Sequence, residues 1–275
     1  MKLLAFDLDG TVLDSKKRLT DRTLNALYKA GEKGVVLVPA TGRIHNFIPE
    51  KILEIPGVRY LITSNGASVY DTKREEVIYR SGIPLVSAVK AVDYLLTQGV
   101  YIEIYVDGMS WNLIEDKSEI IKKFRIPESS SFFLQKKLKT TDDLKNVMEN
   151  GKSIEKINLP FLEPDIRRHL YKKLTEMNLF KIVSSIGQNL EINNRDTNKG
   201  SALKALAEKL HIDSDDIFAA GDNNNDAEML QYAGYSVAMG NATDNAAKAA
   251  KYRTCGCDED GFAKAVEGYF SNFSH

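Results

Sequence analysis

The chain has 275 residues, 43% hydrophobic and 27% charged, an ordinary balance for a globular protein that excludes disorder. Lys and Arg number 37 against 38 Asp and Glu, a net charge of −1, so the overall charge favours neither nucleic acid nor an anionic membrane as partner. No apolar run approaches the roughly 18 residues that span a bilayer, no secretory signal is visible, and one large or two moderate domains are expected.

Leu3, Leu4, Ala5 and Phe6 form a continuous apolar run that fits a strand buried on both faces of a parallel sheet. It runs out into Asp7-Leu8-Asp9-Gly10-Thr11, and in open α/β sheets ligands collect outside the carboxyl ends of strands. Either the two acids belong to a polar turn, or their repulsion is offset by a shared proton or a cation. A hard divalent ion, Mg²⁺ above all, is the economical choice. Thr20 or Asp21 can cap a helix carrying Leu24, Leu27 and Tyr28, which Gly31 or Gly34 ends. Val35 to Val38 is a second strand, closed by Pro39-Ala40-Thr41-Gly42-Arg43. The Thr41 hydroxyl and nearby backbone N–H groups can bind phosphate oxygens, with Gly42 allowing close approach, although a Thr-Gly turn is also an ordinary structural turn. Arg43 reads either as a substrate contact or as a salt-bridge partner, and His45 as a helix-face residue rather than a catalytic base. Arg59 to Thr63 repeats the arrangement before Ser64-Asn65-Gly66-Ala67. Three strands separated by helical patterns imply crossovers and a parallel sheet.

From Ile83 to Gly187 the pattern changes to a mixed α+β one. A helix pattern (Val86, Val89, Val92, Leu95, Leu96) precedes an alternating strand, Val100 to Val106, with Asp107-Gly108 as a hairpin turn. A helix from Ile166 to Met177 and a strand from Phe180 to Ser185 follow. Tyr101, Tyr105 and Trp111 are open to stacking on a sugar or base, yet alternation along strands explains them as packing.

The last part returns to strand and helix alternation. Lys199, in Thr197-Asn198-Lys199-Gly200, precedes a helix carrying Leu203, Leu206, Ala207 and Leu210. Its ammonium could neutralise both a phosphate and a carboxylate nucleophile, or simply be solvated. The strand Asp216 to Ala220 opens into Gly221-Asp222-Asn223-Asn224-Asn225-Asp226, denser in acids and amides than a helix cap requires. Asp222 suits direct ligation of Mg²⁺, Asn225 a hydrogen bond to phosphate or nucleophile, and Asp226 a supporting role holding metal waters or Lys199. A helix near Asp226 to Tyr232 and a strand from Tyr235 to Met239 complete the alternation. Cys255 and Cys257 flank Gly256 in a strand end or turn; such spacing rarely meets disulfide geometry, and without histidine neighbours it makes a poor zinc site. Reduced thiols and a cytoplasmic location are expected. The simplest architecture is a doubly wound α/β parallel-sheet domain made from residues 1–82 and 188–275, interrupted by a smaller unit at 83–187.

This ordered set resembles the haloacid dehalogenase superfamily of aspartate-nucleophile phosphatases. Asp7-x-Asp9-Gly10-Thr11 looks like its first motif, Thr41 its second, Lys199 its third, and Gly221-Asp222-x-x-Asn225-Asp226 its fourth. Ala40-Thr41-Gly42-Arg43 and Ser64-Asn65-Gly66-Ala67, with an insertion between the second and third motifs, resemble the Cof-type branch (subfamily IIB) with its large α/β cap. The resemblance covers essentially the whole chain. It implies a Rossmann-like core and Mg²⁺-dependent hydrolysis of small phosphomonoesters, sugar phosphates first and nucleotide or cofactor phosphates next. Asp7 would attack phosphorus to form an aspartyl-phosphate, and Asp9 would protonate the leaving alcohol and then deprotonate water. The Asp9 backbone carbonyl and the Asp7 and Asp222 side chains would bind Mg²⁺, with Asp226 in support. The Leu8 backbone N–H, Thr41, Gly42, Lys199 and Asn225 would hold the phosphate oxygens. Asp9, where the related pumping ATPases carry Thr, implies an intermediate that hydrolyses. In the family the inserted domain closes over the site and shapes substrate choice. The competing readings are a sugar phosphomutase and a non-catalytic phosphometabolite-binding regulator. The expected partner is a small phosphorylated metabolite, not nucleic acid or membrane, and the expected state is a monomer or homodimer.

Overall fold

The computed structural model describes residues 1–114, 116–124, 138–184 and 188–272. The apolar run Leu3–Phe6 lies inside a five-stranded parallel sheet ordered Tyr252–Arg253, Tyr235–Ala238, Ile217–Gly221, Leu3–Phe6, Val36–Pro39. Successive side chains point to opposite faces, and both faces are covered. Leu4, Phe6, Phe218 and Ala220 pack with Leu27 of helix Asp21–Glu32 and Phe262 and Val266 of helix Gly261–Asn272. Leu3, Ala5, Ile217 and Ala219 pack with Leu203 and Leu206 of helix Lys199–Leu210 and Met229 and Leu230 of helix Ala227–Tyr232. Each large side chain so buried stabilises the fold by about 1.5–3 kcal/mol. This is the expected doubly wound α/β core.

Helix Asp21–Glu32 begins with the Thr20 hydroxyl accepting from Thr23 N at 3.2 Å, and Gly34 follows its end at φ +79°. The third strand departs from expectation. Tyr60–Thr63 runs parallel beside the second strand through bridges Leu37 to Val58 and Ala40 to Ile62. Its own ladder is antiparallel, to Ser68–Asp71 and then Glu76–Arg80. The polar turn after Thr63 folds the chain back at once instead of starting a crossover helix.

By its packing the chain divides into two units: Met1–Arg43, Ile48–Tyr79 and the chain from Asn198 onward form one, and Ile44–Phe47 with Arg80–Thr197 form the other. The second unit holds a six-stranded sheet ordered Phe180–Val183, Leu190–Asn194, Ile154–Leu159, Glu103–Val106, Met109–Asn112, Lys139–Thr140. The expected return to the core at residue 188 is therefore corrected to 198. Leu190 and Ile192 alternate with polar neighbours and pair with Leu159 and Ile157, so this strand completes the inserted sheet. Ser185 and Gly187, where the strand and the insertion were expected to end, lie outside the described residues.

One face of this sheet (Ile104, Val106, Ile157, Leu159, Ile192) is apolar and packs with side chains of the helices Leu85–Thr97 and Pro164–Glu176. The other is polar but buried: Glu103 accepts from Tyr105 Oη at 3.2 Å and Asn158 Nδ2 at 2.8 Å, and Lys156 pairs with Glu191 at 3.2 Å. Tyr101 packs on Phe124 and Phe161, and Trp111 on the edge of the apolar cluster, so the aromatic residues of these strands have packing partners. Asp107 and Gly108 both have positive φ, as a two-residue hairpin turn requires. Among the described residues no helix is long and apolar enough to cross a membrane, and both cysteines are free.

Candidate active site

Parallel pairing brings the carboxyl ends of three neighbouring strands to one edge, so Asp7, Thr41 and Asp222 leave the sheet side by side. Lys199 is the first residue of a helix that Asn198 caps by accepting from Ser201 N at 2.7 Å. Lys199 is fully buried, and its Nζ donates to Asp7 Oδ1 and to Asp226 Oδ1, each at 2.6 Å. The other Asp226 oxygen accepts from the backbone N–H groups of Asp222 and Asn223, both at 2.9 Å. Asp226 is thus spent on holding Lys199 and the turn that carries Asp222. Asp222 in turn accepts from Thr11 Oγ1 at 3.2 Å and from Asn241 Nδ2 at 3.2 Å, and Asn241 also donates to the Gly10 carbonyl at 2.9 Å.

The charges in this cluster do not balance. Burial pushes the Asp7 carboxyl well above its ordinary range, against the pull of Lys199, and the neighbouring Asp226 and Asp222 push it further. Asp222 is raised to about 6, by burial and then by Asp226. Burial works against the Lys199 ammonium, but Asp226 and Asp7 outweigh it and raise its pKa. One ammonium faces three carboxylates, and a divalent cation would bring the group to neutrality. Asp7, Asp222 and Asp226 each bring a carboxylate oxygen within 4.8 Å of the others. Hard oxygen donors in that number fit an ion of the Mg²⁺ class. With Asp226 committed elsewhere, Asp7 and Asp222 are the side chains that would hold it.

The remaining candidates sit around this centre in different ways. Asp9 is turned to Arg43, whose Nε and Nη2 reach its two oxygens at 2.8 and 2.7 Å, and to Lys17 Nζ at 2.9 Å. Burial alone would raise Asp9, but Arg43 and then Lys17 prevail and hold its pKa down to about 2. Thr41 is buried and its hydroxyl accepts from Arg43 N at 3.2 Å; Gly42 lies in the turn between them. Leu8 is buried, and its carbonyl accepts from the backbone N–H groups of Thr11, Val12 and Leu13 at 3.3, 3.1 and 2.8 Å, which coils the chain tightly after the first strand. Asn225 donates its amide to Asn65 Oδ1 at 2.9 Å, while its own Oδ1 is buried with no hydrogen-bond partner among the described residues.

Arg43 resolves to a salt-bridge partner; Lys17 and Asn241 join the site without having been singled out, and Thr11 and Asn65, quoted only as motif positions, make contacts there. The one signal for Asn65 was its place in a small-residue turn at a strand end; it adopts φ +61°. Gly66 follows at φ +96°, and a Cβ there would lie 2.2 Å from the Asn198 carbonyl oxygen. Gly66→Ala is therefore expected to push this turn off the start of the Lys199 helix, at a cost of about 1–3 kcal/mol for overpacking alone. Thermal unfolding checks it: an unchanged midpoint would mean that the turn and helix are not in close contact.

Comparison with known proteins follows the same lines. The profile of a family described as haloacid dehalogenase-like hydrolase matches residues 4–266. Phosphatase YwpJ of Bacillus subtilis (strain 168) is 29% identical over 285 residues, covering 97% of this chain and 99% of its own. The 5-amino-6-(5-phospho-D-ribitylamino)uracil phosphatase YwtE of the same organism is 26% identical over 287 residues, covering 98% and 99%. Among solved structures, the HAD subclass IIB sugar phosphatase BT4131 aligns at TM-score 0.79 and 26% identity over 98% of this chain and 99% of its own.

Proposed function

We propose that this chain, which belongs to the haloacid dehalogenase-like hydrolases and is a phosphatase of their Cof-type branch, hydrolyses small phosphomonoesters through an aspartyl-phosphate on Asp7, with Mg²⁺ as its ion. The observation that carries this reading is the buried Lys199 ammonium set between Asp7 and Asp226, with Asp222 beside them. Asp7 keeps one oxygen for attack on phosphorus while Lys199 fixes the other. When bound, Mg²⁺ would offset the anionic charge that otherwise keeps a carboxylate from approaching a phosphate. Lys199, the Leu8 N–H, Thr41, Gly42 and Asn225 hold phosphate oxygens in this scheme, Asn225 after exchanging its bond to Asn65. Asp9 protonates the leaving alcohol and then takes a proton from the hydrolytic water. Asp226 acts through Lys199 and the Asp222 turn.

Sugar phosphates are the first substrates to try, then nucleotide and cofactor phosphates. Of the similar proteins, BT4131 is a sugar phosphatase and YwtE acts on a phosphorylated ribityl chain, so both handle the phosphate ester of a polyhydroxylated alcohol. Such metabolites, and the free thiols of Cys255 and Cys257, suit a cytoplasmic enzyme working as a monomer or homodimer. The test is inorganic phosphate release from a panel of sugar, nucleotide and cofactor monophosphates with Mg²⁺ or with EDTA. Release that requires Mg²⁺ is expected, strongest with sugar phosphates. Equal release in EDTA would overturn the metal assignment, and a preference for nucleotides would overturn the substrate ranking.

A further inference from the structure

Among the described residues the Asp9 carboxylate meets donors only. Arg43 grips both of its oxygens in a planar fork, and Lys17 adds a third bond to Oδ1. The two cations come from different places. Arg43 ends the turn after the second strand, with its N–H on Thr41 Oγ1 and its carbonyl accepting from Ser64 N. Lys17 sits at the tip of a short hairpin, closed by bridges from Asp9 to Leu13 and from Leu13 to Leu19, and has φ +62°. That tip is built around buried Asp14, whose Oδ1 accepts from Lys16 N and Arg18 N at 2.9 and 2.8 Å. Two separate pieces of backbone are thus shaped so that a cation reaches Asp9.

A carboxylate has about four lone-pair positions. Three are filled by these N–H groups, which leaves room for one further donor. The O–H of an incoming water can donate to that position directly; the oxygen of a leaving group can use it only while Asp9 carries a proton there. We propose that Arg43 and Lys17 are positioning residues for the second half of the reaction, holding Asp9 as the acceptor that activates water against the aspartyl-phosphate. In that step the water oxygen bonds to phosphorus, its proton passes to Asp9, the bond from phosphorus to the Asp7 oxygen breaks, and inorganic phosphate leaves with Asp7 restored as carboxylate. This rests on the assignment of Asp7 and Asp9 above.

The test uses p-nitrophenyl phosphate, whose leaving group departs without a proton, so that formation of the intermediate does not depend on Asp9. Arg43→Met is expected to lower kcat by about 10- to 100-fold with KM falling in step, so that kcat/KM changes less than about threefold. A rapid burst of p-nitrophenol, approaching one equivalent per site, is expected before the slow steady state. Arg43→Lys, which cannot fork, should behave in the same direction. Should Arg43→Met fail to fold, Lys17→Met, at a half-exposed hairpin tip, carries the same test with a smaller fall in kcat. A fall in kcat/KM equal to that in kcat, with no burst, would overturn the inference while leaving the phosphatase reading intact. Failure of that reading shows separately, as wild-type protein that releases no p-nitrophenol or as full activity in Asp7→Asn.

Discussion

Asp7→Asn is expected to lose turnover by a factor on the order of a thousand or more, yet to leave the protein as stable as the wild type or more so in the absence of divalent ions. The two effects have one origin. Asp7 stands where burial and the neighbouring carboxylates disfavour its charged form, and only Lys199 opposes them. A neutral amide of the same shape relieves that repulsion, and Lys199 keeps its bond to Asp226. The same amide cannot attack phosphorus. Affinity for Mg²⁺ should weaken without vanishing, because Asp222 remains. Phosphate release and thermal midpoint, measured on the same preparation, check the pair. A variant retaining more than about a tenth of the wild-type rate would remove Asp7 from the role of nucleophile, and a large fall in midpoint would show that its charge is needed for folding.

Lys199→Met is expected to do the reverse to stability while also abolishing activity. It removes the ammonium that both Asp7 and Asp226 contact and leaves two buried carboxylates facing each other. Breaking a buried pair by removing one partner costs about 3–5 kcal/mol, which lowers the thermal midpoint by on the order of 10 °C in a chain of this size. Millimolar Mg²⁺ should recover part of that loss, since it offsets Asp7 and Asp222. Adding Asp226→Asn to Lys199→Met should recover more, because the remaining unpaired charge disappears. If Lys199→Met melts with the wild type, the ammonium is not the counter-charge of this cluster.

The doubly wound core could be read from the sequence because its strands are short apolar runs that end abruptly in acids, hydroxyls and glycine. The acids at Asp7 and Asp222 stand out for the same reason: a buried strand rarely ends in such a density of polar groups. What the sequence did not disclose are contacts made across the fold. Nothing near Arg43 shows that its guanidinium reaches Asp9, 34 residues earlier, and nothing near Asn241 shows that it steadies Asp222 and the Gly10 carbonyl. The boundary at 188 was misplaced because Leu190-Glu191-Ile192-Asn193 alternates, and alternation tells that a strand has one wet and one dry face without telling which sheet it joins. The antiparallel ladder from Tyr60 to Arg80 is hidden because a third apolar strand ending in small residues repeats the pattern of the first two, and the reversal comes from positive φ angles at Ser64, Asn65 and Gly66.

The pairing of Leu3–Phe6 with Ile217–Gly221 has a consequence for the order in which the protein can form. One edge of the strand Leu3–Phe6 pairs with Val36–Pro39 soon after it, but the other must wait for a strand more than two hundred residues later, since Leu3 pairs with Ile217 and Phe6 with Ala220. Strands 103–106, 109–112, 154–159 and 190–194, by contrast, find all their partners within the insertion. During synthesis the middle of the chain can therefore close its own ladder while Leu3–Phe6 is paired along one edge only, with Val36–Pro39. The catalytic edge is completed only when the last third of the chain arrives, so a truncated product would present a finished insertion and an apolar strand open along one edge, the kind of species that chaperones hold and proteases clear.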